Sequence, residues 1–230
     1  MKKEKIKKTS LPKVLQITLP DMRFYQIEKR YLPSVTWVLE SYPKGVGFYK
    51  WLATKGWDAA EAEKEAAGER GSKVHKAIQD ILMGKTVKYN DHYYNENKLE
   101  MERLTLDEWD ALIAFSQFWQ DREPKLVVLE HTCYSKKYGY AGTIDAVVVI
   151  DNKLMILDFK TSSKIWPTHH MQTAAYLMAE AETGEYKAQQ SIVVRLGTNH
   201  KSGYEEKYRD PVEISKDFAA FLAVKDVWAV

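Results

Sequence analysis

Cysteine is almost absent from this chain: of 230 residues only Cys133 carries a thiol. A single cysteine excludes an internal disulfide, a zinc knuckle and a four-cysteine iron–sulfur cluster. Its neighbours are apolar, which makes it a buried small residue rather than a nucleophile. Any apolar run of roughly 18 residues is missing too, so no membrane-spanning helix is expected. The lysine-rich start has no apolar segment after it and no arginine in it, which argues against a secretory signal and a transit peptide. A protein of the cytoplasm follows as the expectation. Excess charge is lacking as well: 34 Lys and Arg face 32 Asp and Glu, a net +2 that does not by itself announce a nucleic-acid binder. Only Met1–Lys13, with six lysines against Glu4, is locally basic, and such a run reads first as a solvated tail.

What is present is core material. Apolar residues make up 45% of the chain and seven are tryptophan, enough for one domain with a helical appendage. Residues 1–30 read as a basic, flexible segment. Region 31–122 reads as helical: a short helix after Ser34 and before Pro43, a second over Gly47–Lys55, and an alanine-rich one over Asp58–Ala67. Gly68 and Gly71 are expected to break the last, with a new helix over Ser72–Met83. Lys85–Met101 reads as a polar loop, and Thr105-x-x-Glu108 as a capping box opening a helix to Arg122. From residue 123 the period changes to that of strands: Leu126–Tyr134, Tyr140–Ile150 and Lys153–Lys160. A helix opened by Pro167, a strand at Gln190–Leu196, an edge strand near Tyr204–Tyr208 and a helix capped by Ser215 complete residues 123–230. The fold class is α/β, a mixed central sheet flanked by helices behind an N-terminal helical region.

The chemistry concentrates at Gly142-Thr143-Ile144-Asp145 and Leu157-Asp158-Phe159-Lys160. Between them Asp151-Asn152, two residues that tolerate positive φ, signal a tight hairpin. Pairing Ile150 with Lys153 puts Asp145 opposite Asp158, and Lys160 on the same face as Asp158. Opposed carboxylates repel unless a cation lies between them, and a divalent metal with a lysine beside it suits phosphodiester hydrolysis. The alternative is that each aspartate merely ends a strand. His75 lies one position from the Val74/Ile78 stripe and could point inward; a lone helical histidine is otherwise a hydrogen-bonding residue. Gln172 and Tyr176 share one helix face. Glu130 is either a strand-end charge or a site-facing acid. Arg70, Lys73 and Lys76 read as solvated helix surface, with phosphate binding the second reading.

In this order, Gly71-Ser72-Lys73-Val74-His75, Gly142-x-x-Asp145, Asp158-x-Lys160-Thr161 and Gln172-x-x-x-Tyr176 resemble the RecB-type branch of the PD-(D/E)XK nuclease superfamily. Pro33-Ser34-Val35-Thr36 and Arg70-Gly71 are similar to its phage-encoded and mitochondrial genome maintenance exonucleases. The resemblance covers residues 31–176; Ile144 departs from the nominal proline, and the iron–sulfur cluster of some relatives cannot be built here. It implies a restriction-endonuclease-like core and an exonuclease acting on DNA ends or single strands in recombination, repair or replication. The host would be a bacterial or phage-infected cell, with a recombination or replication protein as partner. His75, Asp145, Asp158 and the Phe159 carbonyl would hold Mg²⁺ or Mn²⁺. Lys160 would serve the attacking water, and Gln172 and Tyr176 would support the site. Ser34, Thr36, Arg70 and Glu130 would be supporting or substrate-binding residues. The alternative is a non-catalytic nucleic-acid-binding or assembly protein on a vestigial nuclease core.

Overall fold

A computed structural model describes residues 14–19, 22–95, 98–184, 186–197 and 202–230; the lysine-rich head 1–13 and His200 lie outside them. The chain opens with β1 (Val14–Leu19), β2 (Met22–Ile27) and β3 (Arg30–Pro33), an antiparallel three-stranded sheet. For residues 14–19 and 22–30 this corrects the expectation of a flexible segment, whose residues 1–13 lie outside the described ones. Tyr25, Ile27 and Leu32 bury one face of that sheet against Tyr134 and Ala141, and such burial stabilises by roughly 1.5–3 kcal/mol for each large apolar side chain.

Next come α1 (Val35–Glu40), α2 (Val46–Lys55) and α3 (Trp57–Leu82). The expected break at Gly68 and Gly71 does not occur. Two glycines cost a helix interior about 1 kcal/mol each. That is offset by the surrounding alanines and glutamates and by Val74, Ala77 and Ile78, which anchor the C-terminal half in the core. Within the expected loop 85–101 the chain forms β4 (His92–Asn95), paired with β5 (Glu100–Arg103). α4 (Leu106–Arg122) begins at the anticipated Thr105/Glu108 capping box, with both of its hydrogen bonds made.

The central sheet contains β6 (Lys125–Ser135), β7 (Tyr140–Ile150), β8 (Lys153–Lys160), β9 (Gln190–Leu196) and β10 (Tyr204–Arg209), in the order β10-β9-β8-β7-β6. Only the β8–β9 pair is parallel, and α5 (Pro167–Thr183) makes the crossover between those strands. α6 (Pro211–Trp228) starts earlier than expected, because Asp210 rather than Ser215 accepts the free N–H groups and Pro211 occupies the first turn. α3 and α4 cover one face of the sheet through Val74, Ile78, Phe115 and Phe118. α1, α5 and α6 cover the other through Val38, Ala174 and Phe221. The expected boundary at residue 122 therefore crosses continuous core packing. Among the described residues no helix is long and apolar enough to span a membrane.

Candidate active site

The β7–β8 hairpin turns at Asp151 and Asn152, whose φ values of 50° and 60° are those a tight turn of this hand requires. Its ladder runs from Ile150–Lys153 to Ala146–Leu157 and there the strands part. Asp145 and Asp158 stand one step beyond the last pair, in the expected register, but not as simple cross-strand neighbours. Ile144 packs toward α5 and α6 while Ala146, two residues on, packs toward α3 and α4, so the alternation of β7 breaks at Asp145. The freed carboxylate reaches across, and its Oδ2 accepts the Phe159 backbone N–H at 2.8 Å. β8 keeps its alternation: Phe159 enters the α3/α4 core and Asp158 faces α5.

α3 delivers His75 to the same gap. Its Nε2 lies 2.9 Å from the Phe159 carbonyl oxygen, an acceptor only, so Nε2 carries a proton and donates it. Nδ1 stands 3.5 Å from Asp145 Oδ2. On the other side of Phe159, Lys160 Nζ contacts both oxygens of Asp158, at 2.8 and 2.7 Å. Gln172 Nε2 donates to Asp158 Oδ1 at 3.0 Å and to the Tyr176 hydroxyl at 3.1 Å. Both amide protons are thereby used, which fixes how Gln172 points. The Tyr176 ring lies against β7 only because residue 142 has no side chain: a Cβ there would sit 2.2 Å from Tyr176 Cε1. Gly142→Ala should therefore cost about 1–3 kcal/mol of stability and displace the ring from Gln172. A variant as stable as the parent in chemical denaturation would refute that account.

Charge is unevenly compensated here. Burial, with the Asp145 charge added, pushes the Asp158 pKa up to about 6 against the opposing pull of Lys160. Burial also disfavours an ionised Asp145, but the charge and hydrogen bond of His75, then Lys160 and the Phe159 N–H, prevail and hold its pKa below the usual range. For His75 burial favours the neutral ring, and Asp145 overrides it and raises the pKa. Asp158 is the carboxylate left short of positive charge. Asp158 is 1% exposed, and its Oδ2 finds no hydrogen-bond donor apart from the Lys160 contact. Two carboxylates, a backbone carbonyl and an imidazole are a donor set suited to Mg²⁺ or Mn²⁺. Among the described residues no three His, Cys, Asp or Glu side chains yet surround one point. The Phe159 backbone separates the His75–Asp145 pair from the Asp158–Lys160 pair, and His75 would have to release the carbonyl or use Nδ1 to bind a cation.

The remaining expected residues divide. Glu130 has φ 51° and sits opposite Asp145, in the gap between the pairs Leu129–Ala146 and His131–Ile144. Its carboxylate stays exposed, and partial desolvation followed by the Asp145 charge raises its pKa. Arg70 leans on the site's backbone, with Nη2 donating to the Thr161 carbonyl at 3.4 Å. Ser34, 2% exposed, is spent capping α1 through the Trp37 N–H and bonding the Thr36 hydroxyl, which removes it from direct substrate contact. Lys73 is not solvated surface: it is 4% exposed and lies 2.9 Å from Glu108 and 3.5 Å from Glu102. The charged run Glu69–Lys76 hid that burial, since periodicity marks apolar residues and not a lysine that finds a buried acid. Cys133 is fully buried, as expected, and burial pushes its thiol pKa up. His131 is also structural, 2.7 Å from Glu180.

A family model of the PD-(D/E)XK nuclease superfamily matches residues 48–226. The chain belongs to that superfamily. The match spans α2 to α6 and so includes His75, Asp145, Asp158, Lys160, Gln172 and Tyr176. Among solved structures this PD-(D/E)XK chain is similar to an alkaline exonuclease, LHK-Exo, from Laribacter hongkongensis. Identity is 14%, with 85% of this chain and 88% of that one covered and a TM-score of 0.35. LHK-Exo in complex with dAMP matches at 13% identity, 86% and 89% coverage and a TM-score of 0.37. No curated protein matches the sequence.

Proposed function

We propose that this nuclease is a Mg²⁺- or Mn²⁺-dependent exonuclease that hydrolyses phosphodiester bonds at DNA ends or in single strands, in recombination, repair or replication. The observation that carries the reading is the convergence at the β7–β8 gap of Asp145, Asp158, the Phe159 carbonyl and His75, with Lys160 on Asp158. A divalent ion held there would supply the charge that the buried Asp158 carboxylate lacks and polarise the scissile phosphate. Lys160, 18% exposed at its side chain, can turn from Asp158 to orient the attacking water and offset charge developing on the phosphate. Gln172 holds Asp158 in place, and Tyr176 holds Gln172. Arg70, with its guanidinium beside Thr161, supplies a phosphate contact.

Region 31–122 supplies a wall along which DNA reaches the metal. α2 has no buried residue, and Phe48, Tyr49 and Trp57 stand exposed near Lys44 and Lys50, an arrangement suited to unpaired bases and their phosphates. Purified protein should degrade end-labelled linear DNA with Mg²⁺ or Mn²⁺, stop on addition of EDTA, and largely spare closed circles. Equal cutting of closed circles would remove the exonuclease reading. Binding without cleavage across several divalent ions would favour the vestigial, non-catalytic alternative.

A further inference from the structure

The segment between β8 and α5 leaves the site directly after Lys160, and two arginines hold its backbone. Arg70 donates to the Thr161 carbonyl at 3.4 Å, and Arg195 Nη1 to the Ser163 carbonyl at 2.8 Å. Arg195 is itself held by Glu205 at 3.0 Å, and the Ser162 hydroxyl donates to the Lys164 carbonyl at 2.8 Å. This segment is therefore a fixed platform. It presents the Trp166 ring, 41% exposed, with Lys164 Nζ 4.0 Å from the ring centroid. A large aromatic left half in solvent beside a cation, next to the catalytic strand, offers a face on which something flat and anionic can lie.

His169, three residues on, adds a donor. Its Nδ1 accepts the Trp166 backbone N–H at 3.2 Å. An accepting ring nitrogen has no proton, so the neutral imidazole carries its proton on Nε2. Burial, then the charges of Lys160 and His170, push the His169 pKa down to about 3, which keeps the ring neutral and places it within reach of the Lys160 field. We propose that Trp166, Lys164 and His169 form the subsite that grips the nucleotide beside the scissile phosphate. Trp166 stacks on its base, while His169 Nε2–H and Lys164 engage its phosphates. The occupant is unpaired nucleic acid, because a base within a duplex has no free face to stack. The proposal rests on the nuclease reading above and names where the substrate strand sits.

The test uses the full chain and short single-stranded oligonucleotides, with binding read by fluorescence anisotropy in Ca²⁺ and cleavage in Mg²⁺ or Mn²⁺. Trp166→Ala should weaken binding about tenfold. An abasic site scanned along the strand should reveal one position where the wild type loses about the same factor and Trp166→Ala loses nothing further. In His169→Asn the amide oxygen can replace Nδ1 as acceptor while the donor is lost; KM should rise about tenfold with the melting temperature unchanged. His169→Gln, which can place an N–H near the Nε2 position, should reverse part of the KM rise of His169→Asn. Independent effects of Trp166→Ala and every abasic position would overturn the subsite, as would a wild-type KM in His169→Asn or a wild type that binds no single strand. A wild type that binds but fails to cleave with every divalent ion tried instead sinks the nuclease reading, while the abasic scan still decides the subsite.

Discussion

Replacing Asp158 or Lys160 by alanine is expected to lower DNA cleavage at least about a hundredfold, because each change removes a group placed to act on the reacting phosphate. Stability should move the other way at Asp158. The carboxylate is buried, with its pKa raised to about 6, so the ionised form is a load that the metal-free fold carries. Asp158→Asn, which keeps the shape and can still accept from Gln172, should therefore melt above the parent in EDTA. Mg²⁺ or Mn²⁺ should raise the melting temperature of the parent and leave that of Asp158→Asn almost unmoved. Near-wild-type cleavage by Asp158→Ala, or an equal metal-induced shift in Asp158→Asn, would show that the cation is held elsewhere.

The second large effect is expected far from the phosphate. Lys73 fastens α3 to the capping residue of α4 and to the β4–β5 hairpin, and its partner Glu108 is itself 2% exposed. Lys73→Met leaves that carboxylate buried without its cation, a change that costs about 3–5 kcal/mol when one member of a buried pair is removed. Glu102 is not stranded by it, since Asn95 and Lys98 also donate to it at 2.7 Å each. Adding Glu108→Gln should restore much of the loss: the amide oxygen can keep accepting the Thr105 N–H at the capping box without a buried charge. Urea unfolding of the four proteins in this cycle measures the coupling. If Lys73→Met falls within about 1 kcal/mol of wild type, the pair is not what anchors α3.

Several elements were legible because their signals are local. The Asp151-Asn152 turn, the register it imposes on β7 and β8, the Thr105/Glu108 box and the i,i+4 pair Gln172/Tyr176 all follow from neighbouring residues. The single cysteine likewise left no four-cysteine iron–sulfur cluster to be built from this chain, and residue order along the chain pointed to the superfamily that the family match shows.

What only the tertiary structure decided depends on partners distant in sequence. The first sheet forms because Tyr25, Ile27 and Leu32 meet Tyr134 and Ala141. α3 survives two glycines because its far half is buried. Asp145 turns out of the expected alternation because the ladder ends and the Phe159 N–H needs an acceptor. Whether His75 faces the gap, and whether Lys73 is solvated or interior, is settled by how α3 lies across the sheet. The sequence by itself determined which groups could do the chemistry; packing determined which reach the gap, because side-chain direction and burial are properties of neighbours that the chain brings together only on folding.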